Sequence, residues 1–126
     1  MIIMGHPWVE SPQFCRIFST DEIKNTQVNN IILLEPLSKS HDIAKYCQNN
    51  SLAYAITVHT LHDALFANAM GAKYIICEEE DAITIQTSAT EYLFETRLLV
   101  LIHNENEISK IAGFGIDGVI FVKAIC

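Results

Sequence analysis

The sequence predicts one α/β domain with a parallel sheet and helices on its faces, either an open doubly wound (flavodoxin-like) sheet or half of a (β/α)8 barrel. Three observations predict it: short uninterrupted apolar runs, helix-initiating residues directly behind several of them, and an internal repeat of β-α-β length. Strands covered by helices on both faces read as continuous Val, Ile and Leu rather than as an alternation, which is the situation in a parallel sheet.

Five such runs stand at 31–34, 53–58, 74–77, 98–102 and 119–122, and a weaker sixth at 14–18, so five to six strands are expected. Between them lie stretches of helical period. Ala82, Ile85, Ala89, Tyr92 and Leu93 make one stripe, and Ile108, Ile111 and Ala112 a shorter one. Ser19-x-x-Glu22, Thr60-x-x-Asp63 and Asn104-x-x-Glu107 each set a capping oxygen after a strand and an acid at the third helical position, where it reaches back to a free N–H.

Residues 58–77 and 102–121 align without a gap, with His59 on His103 and Gly71 on Gly115. This reads as a repeated β-α-β unit, with each glycine at the left-handed turn from helix to strand. The expected organisation is a single domain over 1–126: an N-terminal extension and first β-α element in 1–30, then repeated β-α units in 31–126.

Composition narrows the function. In 126 residues, half apolar and 18% charged, eight Lys and Arg stand against fifteen Asp and Glu, for a net charge of −7. There is no basic run to neutralise phosphates, so neither nucleic acid nor an anionic membrane is an expected partner. No apolar run reaches the ~18 residues of a membrane span, and the opening MIIMGHPWVE is not a signal peptide, so a soluble cytoplasmic protein is expected. Cys15, Cys47, Cys77 and Cys126 show no metal-site spacing and are expected to be unpaired thiols of a reducing compartment. A mean hydropathy of +0.23 in so small a domain favours a homodimer that hides surplus apolar surface, through a sheet edge or the Pro-rich start around Trp8.

Ligands of parallel α/β folds bind outside the carboxyl ends of the strands. In this chain those positions are Ser19, Glu35, His59, Glu78, His103 and Lys123. His59, His103, Glu35 and Glu78 offer two nitrogen and two oxygen donors, suited to zinc or another divalent transition metal. Alternatively the histidines serve as bases and Lys123 as an electrophilic or Schiff-base amine. The same residues also read as ordinary solvated strand ends, and His6, His41 and His62 as surface residues. Five scattered glycines give no phosphate cradle, so no nucleotide cofactor is expected.

The stretch VHTLHDALFANAMGAKYII resembles a strand-helix-strand unit of thiamin phosphate synthase, and LLVLIHNENEISKIAGFGIDGVIF the corresponding unit of indole-3-glycerol phosphate synthase, over residues 53–125. Both families are phosphate-binding (β/α)8 barrels, so the resemblance implies half of such a barrel. Their glycine-rich phosphate turn has no counterpart in Leu101-Ile-His-Asn-Glu105, and the resemblance is not extended to their activity. A weaker resemblance is to a response-regulator receiver domain, with Glu35, Glu78, His103 and Lys123 at its functional positions. Glu78 replaces the phosphorylated Asp and His103 the Ser or Thr, which implies a receiver without its chemistry. Three functions are therefore expected in turn: a non-catalytic small-molecule-binding or regulatory module, a small lyase, isomerase or metal-dependent enzyme, and a structural interaction domain.

Overall fold

Each apolar run becomes a strand in the computed structural model, which describes residues 1–126. The five main runs are β3 (Ile31–Leu34), β4 (Tyr54–Thr57), β5 (Tyr74–Cys77), β6 (Arg97–Ile102) and β7 (Gly118–Phe121), and the weaker candidate is β2 (Phe14–Arg16). A further strand, β1 (Ile2–Met4), makes seven rather than five to six. Three apolar residues are too few to register as a strand signal. β1 exists because it lies parallel against β7, with Ile3 opposite Val119.

All pairings are parallel, and the order is β1-β7-β6-β5-β4-β3-β2. From β2 to β7 each strand neighbours the next in sequence, so the winding never reverses. A doubly wound sheet reverses its order part-way, and the open flavodoxin-like alternative is thereby excluded. The sheet is a curled half-barrel.

Two apolar clusters show why. One contains Leu34, Cys77 and Ile102 from the strands and Val58 just past β4, together with Ala44, Ala64, Ile85 and Ile111 from α1 (Leu37–Asn49), α2 (Leu61–Ala69), α3 (Glu79–Glu91) and α4 (Ile108–Gly113). The other gathers Met4, Phe14, Leu33, Ala55, Ile76, Leu99 and Ile120, with no residue from any of the four helices. The strands are buried on both faces, as their continuous runs require, but helices cover only one. The second face is covered by the sheet's own curvature.

Local signals are met at most junctions. The Thr60 hydroxyl accepts from the Asp63 N–H at 3.1 Å, and Asn104 with Glu107 forms a capping box that starts a turn of 3-10 helix leading into α4. Gly71 and Gly115 stand at φ +81° and +73°, the left-handed region that a Cβ disfavours. Residues 61–69 and 105–113 are helical in both copies of the repeat. Two expectations are corrected. Ser19 makes no backbone cap, and a 3-10 turn at Thr20–Asn25 follows it. Ala82, Ile85 and Ala89 are buried as the stripe requires, but α3 ends at Glu91, so Tyr92 and Leu93 are exposed beyond it.

The cysteines divide. Cys47 and Cys77 are free and buried, as expected. Cys15 and Cys126 are instead joined in a disulfide, Cα atoms 4.9 Å apart, across 111 residues of sequence. Spacing along the chain could not show this, because the pair is formed by the curl of the sheet. Ile125 bridges Phe14 in parallel, the Cys126 N–H donates to the Phe14 carbonyl at 2.8 Å, and the Arg16 N–H donates to the Cys126 carbonyl at 3.3 Å. The segment after β7 thus covers the otherwise open edge of β2.

Candidate functional site

The carboxyl end of the curled sheet is built by one rule. Leu34, Val58, Cys77 and Ile102 face the helices, and successive strand residues face opposite ways. Glu35, His59, Glu78 and His103 each follow one of these and so stand at the ends of four consecutive strands, and for His59 and His103 the repeat implies this equivalence. Equivalent places are not a shared site. No three His, Cys, Asp or Glu side chains gather in a way that could hold a metal ion, so the four-ligand set is not assembled. His59, Glu78 and His103 are exposed, and none of them lines any of the cavities described below.

What these three do is local. His59 precedes the cap Thr60, and Glu78 stands at the N-cap of α3 without a capping bond. His103 gives its backbone N–H to Glu107 Oε2 at 2.9 Å, alongside the Asn104 N–H at 3.2 Å. These two bonds hold the Glu107 carboxyl below its ordinary value. Under Glu78, burial first, and Asp81 and Glu78 after it, push the Cys77 thiol up to about 12. It remains a protonated core residue, not a nucleophile. Ser19 lies 3.5 Å from Glu22 Oε1, at the start of the 3-10 turn.

Glu35 is placed differently. It sits between the end of β3 and Pro36, the N-cap of α1, and its carbonyl accepts the Ser40 hydroxyl. It lines a recess of about 230 Å³ with Arg16 from β2, Thr57 from β4, and the apolar Phe18, Leu33 and Leu34. The five ion pairs of the structure include neither Arg16 nor Glu35. Arg16 and Glu35 therefore line one small recess without an ion pair between them. Arg16 is the residue that sequence reasoning missed, although the weak run at 14–18 carried it.

Lys123 belongs to a second recess of about 350 Å³, lined also by Gly5, His6, Glu10, Ser11 and Gln13. His6, read from sequence as a surface residue, is largely covered: its side chain is 14% exposed, with the Phe121 ring at 5.7 Å and the Trp8 ring edge-on at 5.2 Å. The Trp8 N–H donates to Nδ1 at 3.1 Å, which leaves the proton of a neutral ring on Nε2, 2.7 Å from Glu105 Oε2. The available signal was its position just past Ile2-Ile3-Met4, had that triplet been read as a strand.

The largest recess, about 840 Å³, lies at the opposite end of the strands, around Asn30, Ile31, Ser51 and Ala53. Its charged lining is Glu10 and Lys73 alone. The amino ends of parallel barrel strands are where such folds spend residues on stability. Nearby, the Thr96 hydroxyl donates to the Ala72 carbonyl at 2.6 Å, Gln86 accepts the Asp117 N–H at 3.0 Å, and Asp117 accepts the Leu98 N–H at 3.0 Å.

Among solved structures the chain is similar to the crystal structure of a NadC deletion mutant, with a TM-score of 0.56 and 14% identity, over 92% of this chain and 50% of that one. The chain spans half the length of that protein, and at this identity the likeness is one of fold. No family model matches the sequence, and no curated protein matches it. The partial-barrel resemblance read from residues 53–125 stands at the level of architecture, and nothing carries it to either synthase. No helix is long and apolar enough to cross a membrane.

Proposed function

We propose that this chain is a non-catalytic small-molecule-binding or regulatory module, and that its ligand occupies the recess between Arg16, Glu35 and Thr57. The observation that carries this reading is the pair of opposite charges left without ion-pair partners around about 230 Å³, at the strand ends where parallel barrels hold ligands. Arg16 takes a carboxylate through its fork of donors, and Glu35 accepts from an ammonium or hydroxyl group. The fitting ligand is a molecule of amino-acid or hydroxy-acid size. The absence of turnover is supported by His6, whose ring nitrogens are both engaged, leaving it no lone pair for a substrate proton. Burial raises both free thiols, which argues against a cysteine nucleophile.

The reading includes a homo-oligomer, supported by Trp8, 90% exposed, and Phe18, 59% exposed, near the recesses at the carboxyl end. A cytoplasmic setting remains part of it, although the Cys15–Cys126 bond removes the argument from unpaired cysteines. Calorimetry against a panel of free amino acids and small hydroxy acids tests the site. One class should bind, and Arg16→Ala or Glu35→Gln should each weaken it roughly 10- to 100-fold, the loss of one charge-assisted hydrogen bond of about 1.5–3 kcal/mol. Equal affinity in both variants, or no binding by any member of the panel, refutes the reading. Light scattering should return more than one chain per particle.

A further inference from the structure

We infer that the Cys15–Cys126 disulfide is a thiol–disulfide exchange site through which a low-molecular-weight thiol releases the segment that closes the edge of β2. The inference is independent of the ligand reading above. It starts from access. Cys126 is exposed and Cys15 partly so, and both line a recess of about 540 Å³ whose other walls include Gln13, Glu22, Asn25 and Asn30. The other two thiols are buried, so this is the sulfur chemistry within reach of solvent.

Direction comes from Asn30. Its side-chain Nδ2–H donates to Cys15 Sγ at 3.5 Å, and a donor on sulfur favours the thiolate that forms when the bond opens. Cys15 is therefore the leaving group and Cys126 the sulfur attacked. The incoming thiolate bonds to Cys126 Sγ as the disulfide breaks, and the electron pair goes to Cys15 Sγ. A second small thiol then attacks the mixed disulfide and frees Cys126. In total, two small thiols are oxidised to one disulfide, the protein disulfide is reduced to two thiols, and two protons pass from the former to the latter.

Once the bond is open, residues 125–126 are held to β2 by one bridge and two backbone hydrogen bonds. The segment between β7 and Ile125 is a single 3-10 turn, Val122–Ala124, with Val122 and Lys123 exposed. Beyond these, the closing segment is held by Ala124 in the interior cluster and by the partly buried Ile125 packed against that cluster.

The test uses the whole chain purified without reductant. Alkylation under native conditions should modify no cysteine before treatment with dithiothreitol, and Cys15 and Cys126 alone after it. Hydrogen exchange should show the Arg16 and Cys126 amides losing protection on reduction while β4, β5 and β6 keep theirs. Cys126→Ser should show that loss with or without reductant, and Cys15→Ser likewise, so that reduced wild type and two variants agree. Acid quenching after brief exposure to a limiting small thiol should place the adduct on Cys126. Two alkylated cysteines before reduction, unchanged amide protection after it, or an adduct on Cys15 would each overturn the inference.

Discussion

Residues 31–121 and the two segments on either side of them, 1–16 and 122–126, enter one curled sheet by different physical routes. In the first region β3 to β6 are each followed by a helix, and the junctions carry their own chemistry, as at Thr60, Asn104, Gly71 and Gly115. Neighbours in the sheet are neighbours in sequence. In the second region the strands are three residues long, no α-helix follows either, and each has a partner about a hundred residues away: β1 pairs with β7, and β2, besides its ladder to β3, meets Ile125 and Cys126. Local propensity suffices to place an element whose partner is adjacent in sequence. An element whose partner is distant takes its stability from contacts made only after the sheet has curled, and here one of those contacts is covalent.

The sharpest way to break the comparison is at the seam between the two regions. A Cβ on Gly118 would lie 2.5 Å from the Ile2 carbonyl oxygen and 2.9 Å from Leu99 Cδ2, in a place where the neighbour is backbone and cannot yield. Gly118→Val is expected to cost about 3 kcal/mol, with β1 displaced from β7, as a lower urea midpoint and lost protection of the Ile2 amide. If the midpoint is unchanged, β1 is not an integral strand.

Within the repeat the effects are smaller because each junction stands by itself. Thr60→Ala removes the bond to the Asp63 N–H and should cost about 1 kcal/mol, read from the same denaturation curve, leaving the Cys15–Cys126 bond intact. A loss of the disulfide in this variant would mean that the two regions are more tightly coupled than the bonding suggests.

The smallest expected effect separates the two copies of the repeat. Glu107 has a lowered carboxyl value in the folded chain, caused first by the His103 and Asn104 N–H bonds, so its contribution is present above the unfolded value of 4.5 and is lost as pH falls through the lowered one. The cap of α2 is a hydroxyl and does not titrate. On acidification the His103 and Asn104 amides should exchange faster while Asp63 stays protected, and equal behaviour at both junctions would contradict the assignment.

The sequence by itself determined the elements whose cause is local. Five strands were legible because a strand buried on both faces must be apolar at every position, and two caps and two left-handed glycines were legible because a helix end satisfies its free N–H groups or reverses direction within a few residues. The equivalent placement of His59 and His103 followed from the repeat, and that of Glu35 and Glu78 from the ends of their apolar runs. What only the tertiary structure decided is everything that depends on curvature. The runs are equally apolar whether the second face meets helices or the sheet's own interior, so the doubly wound and barrel alternatives could not be separated. His6 meets Glu105 across 99 residues, Cys15 meets Cys126 across 111, and Arg16 shares a recess with Glu35 while His59 and His103 do not. Strand register and curl set these distances, and both are collective properties of seven strands that no short stretch of sequence encodes.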